Sequence, residues 1–115
     1  MLPGKTRPGF LSIDALRKVI KAALDNAGNA RFRYGINLFG KLQRHGVSIQ
    51  DLLYVCHQWQ ILRSIKWQRG AWRYKIEGDN CDGRWMAVVL AIIMNHNDVV
   101  AITGFLFTRG RNKKP

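Results

Sequence analysis

The stretch from Arg84 to Thr108, RWMAVVLAIIMNHNDVVAITGFLFT, constrains the fold more than any other part of the chain. Two apolar runs flank the polar break Asn95, His96, Asn97 and Asp98. Val88, Val89, Ile92, Ile93, Val99, Val100 and Ile102 favour strand, since side chains branched at Cβ pack well on a pleated surface and lose freedom in a helix. A parallel crossover needs roughly a dozen residues, so the short break predicts an antiparallel hairpin, placed at the centre of a sheet. Neither run contains proline. The first is apolar at successive positions, which predicts burial on both sides and helices over at least one face.

The upstream chain supplies that cover. Ser12 is placed to cap a helix beginning at Ile13, and Ile13, Leu16, Val19, Ile20, Ala23 and Leu24 recur at helical spacing until Gly28 offers a stop. Arg31 to Tyr34 reads as a short extended piece. A short helix follows from about Asn37 to His45, closed by Gly46. Ser48 with Asp51 three positions later has the form of a capping arrangement ahead of Ile49, Leu52, Leu53 and Cys56. Ile61 to Trp67 and Ala71 to Glu77 then read as strands on either side of a turn, with Arg73, Lys75 and Glu77 alternating against Trp72, Tyr74 and Ile76. Gly78 to Gly83 leads into the hairpin. Strands segregated from helices predict an α+β domain, with N-terminal helices packed on a four-stranded, mainly antiparallel sheet.

At 115 residues the expectation is one compact domain over 11–108, with an irregular basic lead-in at 1–10 and a basic tail at 109–115. No apolar run reaches membrane-spanning length and no secretory leader is recognisable, so the expectation is no membrane association and, by default, a cytoplasmic protein. Cys56 and Cys81 read as free thiols. Cys56 and His57 are adjacent, and Cys81 and His96 lack ligand spacing, so no metal or other cofactor is expected. Nineteen Lys plus Arg against seven Asp plus Glu give a net charge of +12. That excess favours nucleic acid or another anionic partner without naming a reaction.

The segments FRYGINLFGKLQRHGVSIQDLLYV, WRYKIEGDNCDGRWMAVVLAIIM and VVAITGF together resemble DUF4258, a family of small uncharacterised domains, over positions 32–105. The likeness rests on the aromatic lead-in, the short helix, the Gly46, Val47, Ser48 turn into a capped helix, and strands ending at Ile102 and Thr103. Lys41 and His45 stand where the family is often basic. Asn37 stands where the family commonly starts the helix with histidine; an amide cannot exchange protons at neutral pH, so any such role would pass to His45 if the fold brings it to the site. The order of elements also resembles the small RelE-related toxins and their barnase-like ribonuclease relatives. That resemblance implies metal-independent RNA cleavage by basic and polar side chains, or RNA binding retained without cleavage, and it leaves room for an acidic protein partner such as an antitoxin.

Cleavage of this kind needs a group to move a proton at the ribose 2′-hydroxyl and positive donors around the phosphoryl oxygens. His45, Arg73 and Lys75 are the candidate catalytic residues. Histidine is the side chain suited by its chemistry to general acid-base work, which singles out His45, while Arg73 and Lys75 share one side of a predicted strand. Lys41, Arg84, Trp85, Tyr74 and Thr103 are the candidate substrate contacts, Trp85 and Tyr74 by stacking on bases and the others by contacts to phosphate or sugar. Each has a plainer alternative: a solvated charged face for the cations, a helix end for His45, and core packing for the aromatic rings. Alternation groups Thr103 with Ala101 and Phe105, and opposes Tyr74 to Arg73 and Lys75.

Overall fold

Local capping opens two of the three helices, and both caps, Ser12 and Ser48, are the ones the sequence marks. The computed structural model describes residues 9–93 and 98–107. The expected polar connection at Asn95, His96 and Asn97, most of the basic lead-in and the basic tail lie outside the described residues. Ser12 accepts a hydrogen bond from the Ala15 amide and opens α1 (Ile13–Leu24), which ends at Asp25, ahead of Gly28. A three-residue strand follows, β1 (Phe32–Tyr34), then α2 (Leu38–Arg44). Helix α3 (Ile49–Gln58) begins with a reciprocal capping box, in which the Ser48 hydroxyl accepts from the Asp51 amide and the Asp51 carboxylate accepts from the Ser48 amide.

Four longer strands complete the chain: β2 (Ile61–Gln68), β3 (Ala71–Asp79), β4 (Trp85–Ile93) and β5 (Asp98–Leu106). Their spatial order is β1-β5-β4-β3-β2, with every pair antiparallel except β1 with β5. The expected four-stranded sheet is therefore a mixed sheet of five strands. The fifth is the short extended piece near Arg31 to Tyr34, whose parallel partners Val99, Val100 and Ala101 are far away in sequence. Three residues show no alternation by themselves, and their strand character comes from that distant pairing. The expected hairpin is present and β4 occupies the centre. Asp98 belongs to β5 rather than to the connection, buried and held by Arg33 Nε at 2.8 Å.

All three helices cover the same face. Leu16 and Ile20 of α1, Leu38 and Leu42 of α2, and Leu52 and Val55 of α3 meet Tyr74, Ile76, Met86, Val88, Leu90, Ile92, Val99 and Ala101 in one core. Trp59 closes the end of α3, its ring beneath the Arg17 guanidinium at 3.9 Å, while Arg17 also donates to its carbonyl. Cys56 lies in this core and Cys81 at the surface, both as free thiols. Burial pushes the Cys56 thiol far above its ordinary pKa, which keeps it protonated and unreactive. No helix among the described residues is long and apolar enough to cross a membrane.

Two buried carboxylates lie on the uncovered face, Asp98, already paired with Arg33, and Glu77. Glu77 is only 1% exposed, and it accepts from Arg63 Nε at 2.9 Å, from a second Arg63 nitrogen at 3.0 Å and from the Trp85 indole at 3.0 Å. Burial raises its pKa, but the hydrogen bonds from Arg63 and Trp85 and the charges of Arg63 and Lys75 outweigh burial and leave it below the ordinary value. A lowered folded-state pKa means that this contribution is complete above the unfolded value of about 4.3 and is lost as pH falls through the folded value. Glu77→Ala, which removes the acceptor shared by Arg63 and the Trp85 indole, is expected to destabilise the protein by about 1–3 kcal/mol in urea unfolding. Glu77→Gln should flatten the part of the stability-against-pH curve below about pH 4.3 that this carboxyl supplies.

Candidate functional site

Strand pairing lays out the uncovered face in rows. One row runs Ser64, Lys75, Val89, Thr103, and the next runs Lys66, Arg73, Ala91, Val100. A third runs Ile61, Glu77, Ala87, Phe105. The two-residue turn at Arg69 and Gly70, both with positive φ (54° and 78°), fixes the β2–β3 register and thereby sets Lys66 beside Arg73. On the other side, Ile102 is an extra residue between the pairs Leu90–Ala101 and Val89–Thr103. This bulge separates residues that strict alternation groups together: Ala101 faces the helices, whereas Thr103 joins Val89 and Lys75 on the open face.

These rows enclose a depression of about 250 Å³, lined by Ser64, Lys66, Gln68, Arg73, Lys75, Val89, Ile102 and Thr103. No carboxylate lies among them. The acidic groups Glu77 and Asp98 on this face are engaged by Arg63 and Arg33. The Lys75 ammonium stands over the Phe105 ring at 5.2 Å and the Phe107 ring at 5.8 Å. Arg73 Nε is buried and finds no hydrogen-bond partner among the described residues. An unmet buried donor of this kind costs about 1–3 kcal/mol.

His45 reaches the margin of the site through Phe105. It is the C-cap of α2, and the turn after it carries paired bonds from the Gly46 amide to the Gln43 carbonyl and from the Val47 amide to the Leu42 carbonyl. This Schellman arrangement requires a left-handed residue after the cap, supplied by Gly46 at φ +69°. The imidazole lies 5.9 Å from the Phe105 ring centre, tilted by 51°. Phe105 is therefore flanked by His45 and by Lys75. Lys41 stands one helical turn before His45 on α2. Asn37 is exposed at the N-cap of α2 and makes no side-chain cap bond.

The remaining expected residues are placed elsewhere. Tyr74 is fully buried on the helix-covered face, its hydroxyl accepting from the Leu11 amide at 2.9 Å, so it cannot stack on a substrate. Trp85 is on the open face but buried, its indole committed to Glu77, which makes it a structural part of the Arg63–Glu77 network rather than an accessible platform. Arg84 is exposed in the turn before β4, adjoining the Asp79–Trp85 end of the strand pair and away from the depression. Arg73, Lys75 and Thr103 are brought together. Lys66, Phe105 and Phe107 belong beside them but were not singled out by the sequence reading; the alternation of Ser64, Lys66 and Gln68 was the available signal for Lys66. Among the described residues, no three His, Cys, Asp or Glu side chains gather into a metal-binding group.

No protein-family model and no curated protein matches this chain.

Gly46→Ala isolates the effect of the turn, because a Cβ there meets nothing within 4 Å and only the positive φ is disfavoured. The expected loss is about 1 kcal/mol in thermal or urea unfolding, with the His45 resonances in NMR shifted more than those of Lys75.

Proposed function

We propose that the uncovered face of the sheet binds single-stranded RNA. In this reading Lys66, Arg73 and Lys75 hold phosphate oxygens and the Phe105 and Phe107 rings pack against bases. The observation that carries it is a depression lined by Lys66, Arg73 and Lys75 and by no carboxylate, in which Arg73 Nε finds no hydrogen-bond partner among the described residues. The net charge of +12 supplies the long-range attraction, and aromatic rings beside cations favour a strand with unstacked bases over a duplex. As part of the same proposal, the chain is set beside the DUF4258 domains on its segments within positions 32–105, and beside the RelE-related toxins on the order of its elements.

The toxin-like, metal-independent endoribonuclease reading adds one chemical step, favoured by the placement of His45 against Phe105. The ribose 2′-oxygen loses its proton to the imidazole and attacks phosphorus. The bond to the 5′-oxygen breaks, leaving a 2′,3′-cyclic phosphate, and the departing oxygen takes back from the imidazolium the proton that the imidazole had accepted. Arg73 and Lys75 stabilise the charge gathering on the phosphoryl oxygens. Without that step the same surface is a binding module.

Labelled total RNA incubated with folded protein in EDTA, sampled over time for both complexes and fragments, separates these readings. Salt-sensitive binding is expected, and each of Lys66→Ala, Arg73→Ala and Lys75→Ala should weaken it and lower the slope of log affinity against log salt by about 0.7. Absence of binding by folded protein overturns the RNA reading. Fragments that vanish in His45→Ala, with binding nearly retained, support cleavage through the imidazole; fragments that persist in that variant reject it. Intact RNA throughout leaves the binding module alone.

A further inference from the structure

We propose that the outer edge of β1, with the apolar patch of Tyr34, Ile36 and Phe39 beside it, docks an extended acidic segment of a partner protein, which adds to the sheet as a further strand. This surface is separate from the Lys66, Arg73, Lys75 depression and does not rest on RNA binding.

The sheet ends at β1. The Arg31 carbonyl accepts from the Val99 amide at 2.9 Å and the Gly35 amide donates to the Ala101 carbonyl at 2.8 Å, so the odd-numbered residues of this segment turn their main-chain groups towards β5. Alternation then turns the N–H and C=O groups of Phe32 and Tyr34 outward, to the side where no strand of the described residues lies. An open edge of this sort is a template for another chain unless it is blocked by charge, proline or cover.

The flank of the edge is apolar. Ile36 is 99% exposed, Phe39 55% and Tyr34 44%. The rings of Phe32, Tyr34 and Phe39 form a chain of edge-on contacts at 5.8 Å and 5.5 Å, which holds the patch in one shape before anything binds. Gly35 keeps it tight against the sheet: a Cβ there would lie 2.9 Å from the Ala101 carbonyl oxygen. A fixed, exposed cluster of large apolar side chains next to free main-chain groups is the arrangement used for strand addition, with hydrogen bonds giving pairing and alternate side chains giving specificity.

Charge selects the occupant. From position 26 to position 50 the chain contains Arg31, Arg33, Lys41 and Arg44 and neither Asp nor Glu. Among the described residues the Arg31 guanidinium bonds to the carbonyls of Gly28 and Ala30 and to no carboxylate, and Arg33 remains 62% exposed although it pairs with Asp98. A second copy of the chain would bring another charge of +12 to the same place. A segment alternating carboxylates with apolar residues meets the arginines with the first set and Ile36 and Phe39 with the second.

The test titrates isotope-labelled full-length protein with a blocked peptide of alternating glutamate and valine, and with its lysine and valine counterpart. The expected result is saturable shifts of the Phe32, Tyr34, Ile36 and Phe39 amides, slowed hydrogen exchange at Phe32 and Tyr34, and no response to the lysine peptide. Ile36→Glu and, separately, Phe39→Glu should each weaken the acidic peptide about tenfold while leaving the folded spectrum and RNA binding as in the wild type. Shifts confined to Lys66, Arg73 and Lys75, undiminished binding by Ile36→Glu, equal binding of the lysine peptide, or no saturable binding would each overturn the proposal. A concentration-dependent dimer dissolved by Ile36→Glu would also overturn it, by assigning the patch to a second copy.

Discussion

One layer of helices covers one side of a sheet whose central strand is apolar on both sides, and the rest of the architecture answers that mismatch. On the covered side Met86, Val88, Leu90 and Ile92 enter the core. On the other, β4 presents Ala87, Val89 and Ala91, and the two alanines are buried although no helix among the described residues packs them into the core. Their shelter comes from the longer side chains that strand pairing sets beside them, Glu77 and Phe105 around Ala87, and Arg73 and Val100 around Ala91. Small residues in the middle of the face and long ones at its sides produce a floor with walls. The depression and the partial burial of its cations are thus consequences of how β4 avoids exposing apolar surface.

Strand β5 links this face to the sheet's edge by changing role at its bulge. Before Ile102 it is an interior strand, paired with β1 on one side and β4 on the other. After Ile102 β1 has ended and α2 packs against this part of the sheet, where Gly104 lies against the side chains of Leu42 and Met86. The extra residue shifts the alternation, turning Thr103 and Phe105 to the open face while Ala101 stays in the core. Phe105 thereby meets the imidazole carried by the end of α2. A helix on the covered side and a lysine on the uncovered side come to share one aromatic ring because of a single unpaired residue.

The parts of this arrangement legible in the sequence are those written in local chemistry. Ser12, Ser48 and Asp51 mark helix starts by their hydroxyl and carboxylate oxygens, and alternation along β3 separates Arg73 and Lys75 from Tyr74 without reference to any other strand. What was not legible depends on pairing across long intervals. β1 exists as a strand because Val99 to Ala101 lie beside it, Trp85 is withdrawn because Glu77 lies opposite its neighbour Ala87, and Thr103 joins the site through a bulge that period-two reasoning cannot foresee. The same holds for Phe105, whose neighbours His45 and Lys75 come from two other elements.

The charge of +12 reads the same from a distance to RNA and to an acidic protein, so discrimination between them has to come from what surrounds each cation. Around Arg73 and Lys75 the neighbours are Ser64, Gln68 and Thr103, short polar groups that suit the oxygens of a sugar-phosphate chain, with aromatic rings to one side. Around Arg31 and Arg33 the neighbours are Phe32, Tyr34 and exposed Ile36, together with main-chain groups arranged at strand spacing. A nucleic acid cannot satisfy that second set, since it has no backbone amides to pair with an edge. A polypeptide can, and the hydrogen-bonding edge therefore separates the two surfaces where net charge does not.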